Sequence, residues 1–327
     1  MPAISASAPG KSILFGEHAV VYNRPAIAVP VTQVRAKAVI QANPKGDTDK
    51  IFVDAPDIQL KCELGSLPVD HPLAMAITSV QHALNIDFLQ SFNIRVTSTI
   101  PIAAGLGSGA AVSVAIIRAL STFLGYPLPP NKVSELAYKI EKKHHGKPSG
   151  IDNSVVTFAQ PIYFIRGKPF EVIRVAPEGI ILVIGDSGIK SSTSEVVNDL
   201  NQQWREHPGY FNSKFDTIGN IAKKARKIIE DGEICGLGPL MNENHHILQQ
   251  LGVSNKNLDL LVTTALKAGA EGAKLSGAGR GGNIIALATL ETAKEISNAL
   301  CQAGAVSTFI SQIKPPASEN LGDFGLK

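Results

Sequence analysis

The sequence predicts an α+β fold, in which strands and helices mix in layers, and not a regular doubly wound sheet. Segments in which every second residue is apolar alternate with longer segments of helical periodicity, and the two kinds follow one another in irregular order. The chain has 327 residues, of which 44% are apolar and 18% are charged. Such a chain can bury a substantial core and is long enough for two domains.

Strand and helix patterns alternate along the first half of the chain. Apolar residues take every second position of residues 92–97, which gives a strand one face to bury, and residues 34–40 behave similarly. Alanine and leucine at helical spacing predict helices around residues 73–85 and 110–125, and a third helix over residues 131–143 follows a double proline.

A domain boundary is predicted where these patterns break, near residues 160–170. The predicted domains are residues 1–165 and 166–327. In the second domain we expect a buried strand at 179–184, helices near 192–204, 214–231, 238–251 and 255–268, a strand, glycine-rich loop and strand over 273–287, a helix near 290–303 and a last strand near 306–312.

Composition argues against several classes of protein. The net charge of +3 is too small to indicate a nucleic-acid partner. Cys62, Cys235 and Cys301 are far apart and form no C-x-x-C pair, so neither a disulfide framework nor a zinc site is predicted, and a reducing compartment is the simpler interpretation. The N-terminus lacks a signal-peptide pattern, and no apolar run approaches the roughly 18–20 residues that cross a bilayer. We therefore expect a cytoplasmic protein without a membrane partner.

The first segment that indicates chemistry is residues 7–22, which contains Gly10-Lys11-Ser12. It is no Walker A loop, because the first glycine of that motif is absent. A lysine predicted to lie in a turn beside Gly10, followed by Glu17 and His18, brings several donors and acceptors into one short stretch. The alternative is a strand, a turn and surface charges.

Two glycine-rich loops follow. Residues 100–111 connect a strand to an alanine-rich helix, where glycines let a ligand approach the backbone and the free N–H groups of the helix start favour an anion. The loop over residues 274–283 contains Gly-x-Gly-x-x-Gly, but a strand-like segment follows it and a dinucleotide site needs a helix there. The first loop is predicted to hold phosphate and the second to wrap a ligand; tight turns without a ligand are the alternative for both.

Two carboxylates lie between these loops. Glu141 ends a predicted helix and Asp152 follows a Pro-Ser-Gly turn, so the chain can fold both toward one pocket. Phosphoryl transfer needs one carboxylate to hold Mg²⁺ and another to accept the proton of the attacking hydroxyl or polarise it. A nearby lysine would lower the pKa of that hydroxyl and offset the charge of the phosphates. For each acid alone, a helix cap or a surface role is the alternative.

Together these segments resemble the GHMP family of small-molecule kinases, and within it the mevalonate kinases. The resemblance covers nearly the whole chain and is most specific over residues 8–22. Galactokinases carry an arginine at the position of Lys11, and phosphomevalonate kinases usually have a tyrosine in place of His18. The segment Gly146–Asn153 also resembles the mevalonate kinase version.

The resemblance implies a two-domain GHMP kinase fold, with an N-terminal domain like domain 2 of ribosomal protein S5 and a ferredoxin-like C-terminal domain. It further implies that ATP, with Mg²⁺, phosphorylates the hydroxyl of mevalonate to give 5-phosphomevalonate and ADP in isoprenoid precursor synthesis, and family habit suggests a homodimer. Two alternatives stay open: a GHMP kinase acting on phosphomevalonate or homoserine, and a non-catalytic ATP-binding sensor of the same fold.

The resemblance also implies roles for single residues. Asp152 would be the catalytic base or the anionic partner of the hydroxyl, with Lys11 beside it, and Glu141 would bind Mg²⁺. The ATP phosphates would be held by Pro101, Ala104, Gly105, Leu106, Gly107, Ser108, Gly109, Ala110 and Ala111. The substrate would be contacted by Glu17, His18, Ser149, Thr193, Gly277, Ala278 and Gly279. For Thr193 the alternative is a capping box formed by its neighbours Ser192 and Glu195, which would simply start a helix.

The chain departs from the family pattern at two positions. Gly109 stands where the family usually has a second serine that binds Mg²⁺, so we expect Glu141, phosphate oxygens and water to complete the metal shell, with Ser108 as a substitute ligand. Arg280 stands where the third loop usually has glycine. Its guanidinium would bind a phosphate or the mevalonate carboxylate, or it would point to solvent, and the sequence does not separate these.

Overall fold

The computed structural model describes residues 3–44, 50–101, 104–145 and 148–315. Ile102 and Ala103 of the first glycine-rich loop, and Gly146 and Lys147 of the acidic segment, lie outside the described residues. The strands are β1 (Ile4–Phe15), β2 (Ala26–Ala42), β3 (Ile51–Ala55), β4 (Leu60–Glu63), β5 (Phe92–Ser98), β6 (Ile162–Phe164), β7 (Glu171–Val172), β8 (Ile180–Asp186), β9 (Gly272–Ser276), β10 (Asn283–Ala288) and β11 (Ser307–Ile313). The α-helices are α1 (Pro72–Ala83), α2 (Ser108–Phe123), α3 (Pro130–His145), α4 (Ile151–Phe158), α5 (Thr193–Glu206), α6 (Pro208–Asp231), α7 (Leu237–Gln250), α8 (Lys256–Lys267) and α9 (Ala293–Gln302).

The chain divides into two compact units. The first consists of the described residues of Met1–Lys11, Val34–Ile102 and Leu106–Ala159, and the second of those of Ser12–Gln33, Ala103–Gly105 and Gln160–Lys327. β1 and β2 therefore contribute to both units. Each unit consists of three separate segments of the chain, so the units do not meet at a single boundary. The domains 1–165 and 166–327 stay a prediction.

In the first unit, helices pack around a sheet that follows the predicted alternation. The second part of β2 pairs antiparallel with β5, β5 pairs parallel with β3, and β3 pairs antiparallel with β4. Phe92, Ile94 and Val96 of β5 are buried, whereas the residues between them are exposed. α2 contacts α1, α3 and α4 and is the central helix; its small alanine side chains let its neighbours approach closely.

In the second unit, four antiparallel strands form a sheet in the order β11-β8-β10-β9. α9 connects β10 to β11, and α5 to α8 lie in the chain between β8 and β9. This β-α-β-β-α-β order, with its extra helices in the first connection, is ferredoxin-like, as the resemblance implied. Every residue of β9 and β10 is buried.

The α+β fold class and the two-domain architecture are confirmed, but one local prediction is wrong. Lys11 was predicted to lie in a turn beside Gly10, and it lies within β1. Proline and glycine at positions 9 and 10 are turn signals. However, within the described residues β1 pairs with β2 and with no other strand, and a strand at a sheet edge tolerates both residues. Within the described part of the chain, no helix combines the length and the apolar character that a membrane crossing requires.

Candidate active site

In the first unit, Lys11 and Asp152 form an ion pair. The Nζ atom of Lys11 lies 3.1 Å from Oδ1 of Asp152, and the two side chains are 7% and 30% exposed. Lys11 is fixed by β1, and its backbone N–H donates to the carbonyl of Leu106 at 2.9 Å. Asp152 is in the first turn of α4, and that helix begins immediately after Gly150. Gly150 takes a left-handed conformation with φ 93°. The pair therefore joins a strand to a helix start at a place that solvent reaches.

Gly107 is packed directly against the Lys11 side chain. Its φ of 72° is in the left-handed region, and a Cβ atom at this position would lie 2.8 Å from Cγ of Lys11. A larger residue would have to displace the lysine or strain the backbone. Because Gly107 has no side chain, the loop can pass directly beside the side chain of Lys11.

The same loop opens α2. Gly107 is the N-cap residue and α2 begins at Ser108; among the described residues, no side chain caps this helix start through the N-cap position. The N–H groups of a first helical turn lack partners within the helix and attract anions. Gly109 is exposed, and a Cβ atom there would meet no atom within 4 Å. The helix start is thus open on the side of Gly109, as a phosphate cradle requires.

Glu141 lies on α3, half-buried, close enough to the ion pair to feel both charges. Burial and, after it, the negative charge of Asp152 raise the pKa of its carboxyl to about 8, against the opposing effect of the Lys11 ammonium. If both carboxyl groups were ionised, they would have one ammonium between them. The ionised pair would be short of positive charge, so this set of oxygen donors fits a hard divalent cation.

In the second unit, Lys274 and Glu17 form a second ion pair. Both side chains are 0% exposed, and Nζ of Lys274 donates to Oε1 of Glu17 and to the carbonyl of Leu275, the latter at 2.7 Å. Burial lowers the pKa of Lys274, and the carboxylate of Glu17 raises it. Removing either partner would leave a charge in a site without water.

His18 is held beside this pair in a strained backbone conformation. Its φ is 59°, and Nε2 lies 2.8 Å from the carbonyl of Ala278. Since a carbonyl only accepts, Nε2 carries the proton and Nδ1 is the acceptor nitrogen. Burial lowers the pKa of His18 to about 4, opposed by the bond to Ala278 and aided by the positive charge of Arg280. The imidazole is therefore neutral at neutral pH.

Alternate residues from β9 onward fix the segment 12–18. Lys274 binds Glu17, and the carbonyl of Ala278 binds His18. Between them, the hydroxyl of Ser276 donates to the carbonyl of Ile13 at 2.9 Å and accepts the Ile13 N–H at 3.2 Å. Residues two apart on a strand point to the same face. Lys274 and Ser276 on one face of β9, with the backbone carbonyl of Ala278 in the loop that follows, thus hold the segment that carries Glu17 and His18.

Arg280 is held by hydrogen bonds from both its backbone and its side chain. Its φ is 55°, its N–H donates to the carbonyl of Val253 at 2.7 Å, and Nη1 lies 2.5 Å from Oδ2 of Asp199. The guanidinium is about a third exposed. In this structure its charge is therefore matched by a carboxylate of the same unit.

Thr193 and Ser149 take part in local helix starts. Thr193 is the exposed first residue of α5, and the hydroxyl of Ser192 accepts the N–H of Glu195 at 3.4 Å, which is the geometry of the capping alternative. The hydroxyl of Ser149 accepts the N–H of Ile151 at 3.3 Å, where α4 begins. Their contacts with a substrate stay predictions.

The predicted site residues thus fall into two groups. The first unit brings together Lys11, Asp152, Glu141 and the helix start at residues 107–111. The second unit contains Glu17 and His18, and His18 contacts the loop at residues 277–279 through the carbonyl of Ala278. It also contains Ala104, whose carbonyl accepts a hydrogen bond from the side-chain amide of Asn283. Sequence reasoning missed Lys274 as the partner of Glu17, although a lysine in an otherwise small or apolar buried strand is itself a signal of a buried counter-ion.

The comparisons with known proteins agree along the chain. The family models described as GHMP kinases N terminal domain and GHMP kinases C terminal match residues 72–160 and 225–306. The mevalonate kinases of Thermococcus sibiricus and Pyrococcus horikoshii are 37% and 36% identical, over 92% and 93% of this chain and 93% of each relative. The crystal structure of L. major mevalonate kinase in complex with R-mevalonate is similar with a TM-score of 0.84 and 30% identity, over 96% of this chain and 97% of that one.

Proposed function

Because this chain belongs to the mevalonate kinases of the GHMP kinase family, we propose that it transfers the γ-phosphate of ATP to the hydroxyl of mevalonate, giving 5-phosphomevalonate and ADP. This is a step of isoprenoid precursor synthesis. The observation that supports the reaction within the chain itself is the Lys11–Asp152 pair, held against the loop that opens α2.

Asp152 is the group that receives the substrate proton in this proposal. The hydroxyl gives its proton to the Asp152 carboxylate, its oxygen forms a bond to the γ-phosphorus, and the bond from that phosphorus to the bridging oxygen of ADP breaks. Once Asp152 is protonated, the ammonium of Lys11 no longer faces an anion 3.1 Å away. Its charge is then available to the oxygen and the phosphoryl group, where negative charge develops.

The start of α2 is the proposed phosphate cradle. The N–H groups of Ser108, Gly109 and Ala110 lie in the first turn of a helix of 16 residues whose dipole favours an anion there, whereas the N–H of Ala111 already donates to the carbonyl of Gly107 at 3.0 Å. Pro101, Ala104, Gly105, Leu106 and Gly107 complete the predicted set. The exposed, unobstructed position of Gly109 supports close approach of a phosphate.

Mg²⁺ is proposed as the metal ion, with Glu141 and Ser108 as its protein ligands. Mg²⁺ typically takes one or two carboxylates and completes its shell with phosphate oxygens and water. The raised pKa of Glu141 supports this proposal, because a nearby cation would stabilise the ionised form that burial disfavours. When bound, the ion would supply neutralisation of phosphate charge.

We propose that the mevalonate is contacted by Glu17, His18, Ser149, Thr193, Gly277, Ala278 and Gly279. The neutral state of His18 supports its part, since Nδ1 can accept a hydrogen bond from a hydroxyl. Glu17 precedes His18 in the chain, and its carboxylate is fully buried against Lys274. A homodimer and a cytoplasmic location complete the proposal; family habit supports the first and the three free cysteines support the second.

The alternatives are not favoured by the comparisons, because the two relatives reported above, 37% and 36% identical over more than nine-tenths of the chain, are mevalonate kinases. ADP release with ATP and Mg²⁺ should be measured in the presence of mevalonate, phosphomevalonate or homoserine, and without any acceptor. We expect rapid release with mevalonate alone, and a product with phosphate on its terminal hydroxyl by ³¹P NMR. Faster turnover of another acceptor would reassign the substrate, and ATP binding without turnover of any acceptor would support the sensor.

A further inference from the structure

Arg118 links three elements of the first unit at a distance from the ion pair. It lies on α2, ten residues after Ser108, which is about 15 Å along a helix. Its Nη2 donates to the carbonyl of Thr157 on α4, and its Nη1 donates to the carbonyl of Ser7 on β1 at 3.4 Å. One side chain of α2 thus binds the strand that carries Lys11 and the helix that carries Asp152.

The carbonyl of Thr157 needs a donor from outside its own helix. In α4 the carbonyl of residue 157 would accept the N–H of residue 161, but residue 161 is proline and has none. Arg118 supplies the missing donor. Its positive charge also lies at the C-terminal end of α4, where a cation is favourable.

Ser7 is bound by two arginines, each in a different way. Arg118 donates to its backbone carbonyl, whereas Nε and Nη2 of Arg35 donate to its hydroxyl oxygen at 3.1 and 3.0 Å. Only Arg118 also contacts α4. Arg35 therefore offers a matched control, an arginine that binds the same residue of β1 without connecting it to the helix of Asp152.

The environment of Arg118 is costly for a cation. The side chain is half-buried, and burial, followed by the positive charge of Arg35, lowers the pKa of its guanidinium. Among the described residues, no carboxylate lies within ion-pair distance of Arg118. Hydrogen bonds to two carbonyls compensate part of the desolvation. Because both of these hydrogen bonds go to backbone carbonyls, the Arg118 side chain restrains the main chain at Ser7 and Thr157.

We propose that Arg118 is a positioning residue for the phosphoryl transfer, holding β1 and α4 in the relative position that keeps Lys11 beside Asp152. This inference rests on the proposed function. Ser7 is four residues before Lys11 on one strand, and Thr157 is five residues after Asp152 on one helix. A strand and a helix are stiff over such lengths. The hydrogen bonds that join Ser7 to Thr157 through Arg118 therefore also restrain the distance between Lys11 and Asp152.

The test compares Arg118→Ala, Arg118→Lys and Arg35→Ala with the wild-type protein in steady-state kinetics for both substrates. We expect Arg118→Ala to lower kcat by about 10- to 100-fold, because misplacement of a reacting group by about 1 Å costs that much, while both KM values change less than kcat. Arg118→Lys should recover part of the loss, and millimolar guanidinium should rescue Arg118→Ala. Arg35→Ala should leave kcat unchanged.

Two kinetic results would overturn the inference. One is a folded Arg118→Ala protein with wild-type kcat. The other is a loss of activity that follows the unfolded fraction alone and disappears at lower temperature. Crystal structures of Arg118→Ala and wild type give a readout that does not depend on the substrate: an unchanged distance between Lys11 Nζ and Asp152 Oδ1 refutes positioning even if mevalonate is not the acceptor. Wild-type turnover of the acceptor panel separately tests the proposed function.

Discussion

The molecule contains two lysine–carboxylate pairs that differ in their access to water. Lys11 and Asp152, in the first unit, are 3.1 Å apart with side chains 7% and 30% exposed. Lys274 and Glu17, in the second unit, are both 0% exposed. The first pair has a third titratable group nearby, Glu141, whose pKa is raised by burial and by the charge of Asp152. The second pair is electrically balanced by its own two members.

The difference separates a pair that can change its charge from one that cannot. A proton or a substrate oxygen can reach an exposed carboxylate, and a nearby cation would stabilise the ionised form of Glu141, which burial and the charge of Asp152 disfavour. A sealed, balanced pair can exchange neither proton nor partner without exposing a buried charge. We therefore expect substitutions in the first pair to alter turnover and substitutions in the second to alter stability.

The largest effect is expected for Asp152→Asn. It removes the proposed proton acceptor without changing the shape of the side chain, so kcat should fall by about 10²- to 10⁴-fold. The unfolding free energy should change less than for a pair that is sealed on both sides, because Asp152 is 30% exposed and Glu141 stays close to the Lys11 ammonium. ADP release and chemical denaturation measure the two quantities, and near-normal turnover would remove Asp152 from the mechanism.

Lys274→Met should give the opposite outcome. It leaves the Glu17 carboxylate buried without its ammonium, which should lower the unfolding free energy by about 3–5 kcal/mol in chemical denaturation. Adding Glu17→Gln should restore most of that loss. Lys11→Met is the matched control, with turnover lost and the unfolding free energy within about 1 kcal/mol of wild type. Equal destabilisation by both lysine substitutions would contradict the comparison.

His18 gives the sealed region a pH dependence of known sign. Its pKa is about 4 in the folded protein and 6.5 in the reference state. Between these two values, His18 is protonated in the unfolded chain and neutral in the folded protein. The contribution of His18 to the unfolding free energy is therefore complete above about pH 6.5 and is lost as the pH falls toward about 4. His18→Gln should flatten this part of the curve of unfolding free energy against pH.

The exposed His82 provides the control for that measurement, since His82→Gln should leave the pH dependence as it is in wild type. His245, also buried with a pKa lowered to about 4, will keep part of the slope in the His18 variant. A His18→Gln protein with the full wild-type slope would show that His18 is already accessible to protons.

The smallest effect is expected for Gly109→Ser. The new side chain has room, because a Cβ atom at Gly109 meets nothing within 4 Å, and it restores the serine that is usual in the family. We expect the Mg²⁺ concentration for half-maximal turnover to fall several-fold, with little change in stability. Gly65→Ser, at another position where a Cβ atom meets nothing and φ is not left-handed, is a control outside the cradle. An unchanged Mg²⁺ requirement would mean that the native site lacks no ligand.

Local sequence patterns predicted much of the fold because they depend on neighbours along the chain. The helix expected near 255–268 is Lys256–Lys267, with Asn255 capping its first turn through the N–H of Leu258 at 2.9 Å. The strand, loop and strand over 273–287 are β9 and β10. The turn assigned around Lys11 failed for the same reason: proline and glycine are local signals, and pairing with β2 overrides them.

The contacts between distant parts of the chain could not be predicted. Lys274 and Glu17 are 257 residues apart, and neither carries a local mark of its partner. The meeting of Lys11 with Asp152 was inferred from a family resemblance together with the need of phosphoryl transfer for a cation beside a carboxylate. The raised pKa of Glu141 depends on burial, which only the packed helices determine. Sequence therefore indicated which residues to examine, and packing determined their charge states.

Gly107 has a consequence for how such an enzyme can be altered. A Cβ atom at this position would lie 2.8 Å from Cγ of Lys11, whereas one at Gly109 would meet no atom within 4 Å. Position 109 can therefore be exchanged without displacing the lysine. Position 107 itself admits no such freedom, so directed evolution of this loop should return glycine there in every active variant.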